Sequence, residues 1–165
     1  MSDRYFEDYP PGAVFEGGSI PVTEAEIIEF ACRYDPQTMH VDPEAAARGY
    51  FGGLIASGWH TAAMAMRLFT EHFLSPASSL ASPGIDELRW IRPVRPADEL
   101  RLRVTVTDAR RSRSKPDQGI VHSIAEVLNQ KGEVVMSLKP ISLIRRRPES
   151  AGSGAPPESG RFTRT

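Results

Sequence analysis

Asp35 and His40 stand five residues apart in Tyr34-Asp35-Pro36-Gln37-Thr38-Met39-His40-Val41-Asp42. A carboxylate and an imidazole at that spacing, in a turn that follows a helix, can act together on a proton. A second segment, Gly52-Gly53-Leu54-Ile55-Ala56-Ser57-Gly58-Trp59-His60, is a glycine-rich lead-in to another helix. The first amides of that helix, Gly58 among them, sit at the positive end of its dipole and favour a developing oxyanion. An acid/base pair beside such a seat suits proton chemistry next to a carbonyl.

Each of these residues also has a plainer reading. Asp35 can merely cap the turn before Pro36. A lone histidine such as His40 is more often a hydrogen-bonded structural group, and it is the spacing from Asp35 that raises it. His60, one turn into an apolar helix, reads as structural or as lining a pocket, and Trp59 as core or pocket wall. Ser57 has no Gly-x-Ser-x-Gly elbow around it and is not read as a nucleophile. His72 and His122 have no partner in sequence and read as surface groups. The four histidines show no His-x-x-x-His spacing, so no metal is expected. No dinucleotide fingerprint or phosphate loop is present, and no resident cofactor is expected.

The elements that must position the pair follow from local signals. Thr23-Glu24-Ala25-Glu26 fits a capping box, in which Thr23 accepts from the third-residue amide and Glu26 reaches back. Ile27, Ile28, Phe30 and Ala31 then recur at helical spacing. The helix should end near Tyr34, because proline at position 36 disfavours helical geometry at Asp35. Asp42-Pro43 predicts a short helix with Asp42 as N-cap, and Gly49, Gly52 and Gly53 predict a loop. Gly58 to Phe73 reads as one helix apolar nearly all round, which is the mark of a buried helix. Ser75-Pro76-Ala77-Ser78-Ser79 ends it.

The second half reads as strands. Leu100, Leu102, Val104 and Val106 alternate with Arg101, Arg103, Thr105 and Thr107. Ile120–Asn129 and Val134–Ile144 are further strands, the last interrupted near Pro140, with a turn at Asn129-Gln130-Lys131-Gly132. Ile85–Ile91 is another candidate, and Ala13-Val14-Phe15 forms a short strand between turns at Pro10-Pro11-Gly12 and Gly17-Gly18. Long antiparallel strands following one buried helix point to an α+β fold, a curved sheet wrapped around a central helix.

The chain has 165 residues, 40% of them hydrophobic, and a net charge of −1. This fits one domain over residues 1–147 and a tail over 148–165, read as disordered on composition alone. The charge balance argues against nucleic-acid binding. The basic groups at Arg110, Arg111, Arg113 and Lys115 and at Arg145, Arg146 and Arg147 read as a solvated strand end and a tail boundary. The alternative is a contact for ligand phosphates. The single cysteine, Cys32, excludes an internal disulfide and reads as a small buried hydrophobe. No secretory signal is read at the N-terminus, and no run approaches the ~20 apolar residues of a membrane span. The expected location is the cytoplasm, with no membrane partner.

Together these motifs resemble the MaoC-like dehydratases, which include the (R)-specific enoyl-CoA hydratases with the hotdog fold. The residues that carry the resemblance are Asp35 and His40, Asp42-Pro43-Glu44-Ala45-Ala46, Phe51-Gly52-Gly53-Leu54-Ile55-Ala56-Ser57-Gly58, and Trp90-Ile91-Arg92-Pro93-Val94-Arg95-Pro96-Ala97-Asp98-Glu99-Leu100. It spans roughly Tyr5 to Ile144. Two departures stand out. The hydratase motif carries Asn two residues after the Asp, where this chain has Gln37. The helix lead-in of the best-known members reads His-Gly, where this chain has Ser57-Gly58 with His60 further on.

The resemblance implies a hydratase/dehydratase interconverting trans-2-enoyl and 3-hydroxyacyl thioesters of coenzyme A or acyl-carrier protein. Coenzyme A would be only part of the substrate. Asp35 would be the base for water and His40 would deliver the proton to C2. Gly58 would donate its N–H to the thioester oxygen, glycine there allowing close approach of the ligand. Gln37, Ser57, Trp59 and His60 would contact substrate, and Arg92 and Arg95 the carrier's phosphates. Hotdog folds expose a sheet edge, so at least a homodimer is expected, extending to a dimer of dimers or trimer of dimers. Thioester hydrolysis and a non-catalytic acyl-binding role are the alternatives on the same fold.

Overall fold

The computed structural model describes residues 3–148. The tail expected from Pro148 lies, beyond that residue, outside the described part. In chain order the elements are a 3-10 turn (Phe6–Asp8), β1 (Val14–Pro21), α1 (Glu24–Tyr34), α2 (Thr38–Val41), α3 (Pro43–Ala47), α4 (Gly58–His72), β2 (Ser79–Trp90), β3 (Glu99–Arg111), β4 (Gln118–Leu128) and β5 (Val134–Arg145).

The alternation seen in sequence sets which face of the sheet is covered. Leu100, Leu102, Val104 and Val106 are all buried, and Val121, Ala125 and Val127 of β4 join them. The five strands form one antiparallel sheet in the order β1-β3-β4-β5-β2. Met64, Ala65, Leu68 and Phe69 of α4 pack into the same core. The architecture is therefore the α+β arrangement expected, a curved antiparallel sheet around a central helix. Among the described residues no helix is long and apolar enough to cross a membrane.

The helix boundaries match their signals. Thr23 caps α1 by accepting from the Glu26 N–H at 3.2 Å. The reciprocal half of the capping box is different, since the Glu26 carboxylate accepts from the Thr23 hydroxyl (2.7 Å). Asp42 caps α3 through the Ala45 N–H, with Pro43 in the first position.

Several expectations need correction. Gly17-Gly18 is not a turn: β1 runs through it, with a register shift between Gly17 and Ile20 and φ +76° at Gly18. A side chain at Gly18 would collide with Leu68 and His72, so the glycines let α4 lie directly on the strand. His72 is therefore half-buried, and His122 is too. β2 begins at Ser79, well before Ile85. Among the described residues it is an edge strand bonded only to β5, and an edge tolerates Pro83 and Gly84.

β5 continues through Pro140, which pairs with Ile85. Cys32 is exposed, because α1 buries Ile27 and Ala31 instead. Of the arginines at the tail boundary, Arg146 pairs with Glu7 and Arg147 with Asp8, so they tie the N-terminal turn to the end of β5.

Candidate active site

The site is assembled from three backbone segments. The first is the exit of α1, where Asp35 is the C-cap residue and its N–H returns to the Ala31 carbonyl at 2.9 Å. Pro36 prevents continuation, and the chain turns into α2, a single helical turn where a looser turn was expected. That turn carries His40. The second is the extended stretch Leu54–Ser57. It is fastened by the Ile55 N–H to the Met39 carbonyl (3.2 Å) and by the Ala56 N–H to the Val94 carbonyl (2.8 Å). The third is the N-terminus of α4, capped by Ser57, whose oxygen accepts from the Trp59 N–H at 3.2 Å.

His40 is almost fully buried, and its Nδ1 lies 2.8 Å from the Ile55 carbonyl oxygen. A carbonyl only accepts, so Nδ1 carries the proton, and in the neutral ring Nε2 is a bare acceptor. Nε2 lies 3.5 Å from Asp35 Oδ2. That is too long for a direct hydrogen bond, so both groups stay open to a third. Asp35 accepts from the Ser57 hydroxyl on Oδ2 (2.6 Å) and from the Gln37 amide on Oδ1 (2.7 Å). Chiefly through Ser57, then Gln37, with a smaller part from His40, these neighbours hold the Asp35 carboxyl below the usual range, against the upward pull of burial.

A cleft of about 410 Å³ opens over this cluster. Asp35, His40, Gln37, Gly58, Trp59 and Arg92 line it, and Ser57 lies fully buried beneath. Gly58 is the first residue of α4, and among the described residues its N–H meets no acceptor. The structure shows a further reason for glycine here. The Trp90 indole lies where a Cβ would be, and its N–H donates to the Gly58 carbonyl at 2.9 Å. Glycine makes room here for Trp90.

Besides Ser57, two residues from the sequence reading do not line the cleft. His60 stacks on Phe30 of α1, with centroids 4.7 Å apart and planes 11° from parallel. Arg95 donates to the Phe51 carbonyl at 2.7 Å and braces the glycine loop. Trp90, Thr61 and the Ile55 carbonyl were not singled out as site groups. Trp90 and Ile55 lay inside segments already quoted, but neither the carbonyl's partner nor the indole's place over Gly58 has a sequence signal.

Residues 8–127 match the MaoC like domain. The chain belongs to the MaoC-like family. A MaoC-like dehydratase structure from Rhodospirillum rubrum superposes with a TM-score of 0.83 at 41% identity, covering 88% of this chain and 99% of that one. The YdeM protein of Bacillus subtilis, itself uncharacterized, is 35% identical over 85% of this chain and 98% of its own length. The 3-hydroxyacyl-thioester dehydratase Z of Mycobacterium tuberculosis is 38% identical over 77 residues, 46% of this MaoC-like chain and 51% of the relative. The fold is a hotdog.

Proposed function

We propose that this MaoC-like protein is a hydro-lyase that interconverts trans-2-enoyl and 3-hydroxyacyl thioesters. The observation that carries the reading is the open Asp35–His40 pair, 3.5 Å apart in a cleft at the N-terminus of α4. The dehydratase names of its relatives support it.

In the hydration direction, a water held between Asp35 Oδ2 and His40 Nε2 adds its oxygen to C3. The alkene π pair moves to C2, and the thioester oxygen gains enolate character, met by the Gly58 N–H and the helix dipole. The proton lost by water passes through the pair to C2, so one water adds across the double bond. Because Nδ1 is held by the Ile55 carbonyl, His40 must take a proton at Nε2 before it can give one. Dehydration runs the same steps backwards.

The acyl group would be carried on coenzyme A or acyl-carrier protein. Arg92, exposed on the cleft rim, is the Lys or Arg side chain among the described residues that lines the cleft and would meet carrier phosphates, since Arg95 braces the glycine loop. The exposed apolar residues Leu80, Ile85 and Trp90 along the edge strand β2, with Ile91 just beyond it, support pairing with a second copy. Loss of enoyl absorbance with crotonyl-CoA and longer or branched enoyl-CoAs tests the activity. No loss with any of them, and release of free thiol from a saturated acyl-CoA, would replace it with hydrolysis.

A further inference from the structure

Gln37 and Ser57 mark the two departures from the usual motif, and both side chains are spent on Asp35. Ser57 is fully buried and absent from the cleft wall, so it cannot contact a substrate there. Gln37 reaches the cleft, and its amide nitrogen gives one hydrogen to Asp35 Oδ1. We propose that Ser57 and Gln37 are positioning residues that clamp Asp35 by both oxygens, keeping it a fixed anion that orients and stabilises a protonated His40 rather than carrying the transferred proton itself.

The geometry explains how neutral donors do this. The Ser57 oxygen already accepts from the Trp59 N–H, so its single hydrogen is free only to donate, and it donates to Asp35 Oδ2. A proton placed on Asp35 along either existing bond would face another hydrogen. The chain from the Trp59 amide through the Ser57 hydroxyl to the carboxylate also links Asp35 to the positive end of the α4 dipole, and each bond in such a chain polarises the next. Hydrogen bonds to the charged form favour that form. The charged groups sharing the cleft are His40 from α2, which also favours an anion at Asp35, and Arg92 from the β2–β3 connection. His40 is left as the one member of the pair with a bare acceptor and a hydrogen-bonded far side.

This inference rests on the hydro-lyase reading, and its test has an arm that needs no turnover. Carboxyl carbon NMR of the full-length protein should show Asp35 titrating below the ordinary carboxylate range. The titration should move up in Gln37→Ala and in Ser57→Gly, and furthest in Gln37→Glu, where a second carboxylate replaces the donor. Ser57→Gly removes the hydroxyl while costing the helix cap only a few tenths of a kcal/mol, and Gln37 is exposed, so folding is preserved. In turnover, each donor loss should lower kcat about tenfold with KM changed less than about twofold, because the interaction belongs to the transition state, and Gln37→Asn should recover more than Gln37→Ala. An unmoved Asp35 titration in Ser57→Gly and Gln37→Ala overturns the clamp, as does an effect confined to KM. A wild type that titrates as expected yet turns over no enoyl thioester overturns the hydro-lyase reading and leaves the clamp standing.

Discussion

The two ends of α4 are built for opposite purposes. At its C-terminus the aromatic rings of Tyr9, Phe15 and Phe69 gather around Phe73, with centroids 4.6–5.2 Å from it. The Tyr9 hydroxyl donates to the Phe73 carbonyl at 2.7 Å, and the Arg4 guanidinium to the His72 carbonyl at 2.6 Å. Last-turn carbonyls that a helix leaves open are thus met by protein. At its N-terminus Trp59 and Trp90 pack beside the polar group of Ser57, Asp35 and His40, and among the described residues the Gly58 amide is left without a partner. One end satisfies its backbone and fills its space. The other holds polar groups in place and leaves them open, the arrangement a site needs if ligand atoms are to complete it.

Removing the charge at the open end should separate activity from stability most sharply. Asp35→Asn should lower hydratase kcat by about 10³-fold, within the range for a positioned acid–base group. The thermal unfolding temperature should fall only modestly, since Asn keeps the shape of the side chain but cannot accept from both Ser57 and Gln37. Equal losses of activity and Tm would mean that Asp35 is structural, and the contrast between the two ends would collapse. The mirror experiment is Phe73→Ala at the packed end, where a fully buried ring is lost. About 3–5 kcal/mol of stability should go with it, read by denaturant unfolding, with kcat per folded molecule unchanged. A milder probe is Gly18→Ala, which places a methyl against Leu68 and His72 at φ +76°. It should cost about 1–3 kcal/mol and leave the Asp35 titration where it is.

The same contrast governs what could be read from sequence. Signals that act within a few residues came through: Pro36 stopping α1, Asp42 capping α3, and the period of two in β3. Asp35 and His40 were legible as a pair because the spacing that joins them is local. Contacts made by residues far apart in the chain were not. Gly17-Gly18 looks like a turn until α4 is laid on it, and the strand candidate Ile85–Ile91 misses the earlier start of β2 because strand propensity does not register the leniency of an edge. Cys32 sits among apolar residues in sequence but on the outer face of α1. Ser57 and Gln37 were legible as departures from a motif, yet their common partner, 22 residues from one and two from the other, appears only when Leu54–Ser57 is fastened beside α2. His60 lies two positions from Gly58, but the helical turn swings it away from the cleft onto Phe30.

His60 offers the smallest of these tests, a slope rather than a step. Its ring is buried against Phe30, its Nδ1 meets no partner among the described residues, and burial pushes its pKa below the ordinary histidine value, with Glu26 pulling weakly the other way. In the folded protein the ring therefore stays neutral at a pH where the unfolded chain already binds a proton. The sign follows from that difference. Above the unfolded value of about 6.5 both states are neutral and His60 contributes no pH dependence. As pH falls below it, the unfolded state gains a proton that the folded state refuses, and stability declines until the folded value is passed. His60→Phe keeps a ring on Phe30 and removes the proton, so denaturant midpoints compared at about pH 7.5 and pH 5.5 should diverge less in the variant than in wild type. Since His60 lies outside the cleft, the variant's kcat should be unaltered. A loss of kcat with the stability slope unchanged would move His60 from the packed part of α4 to the open end.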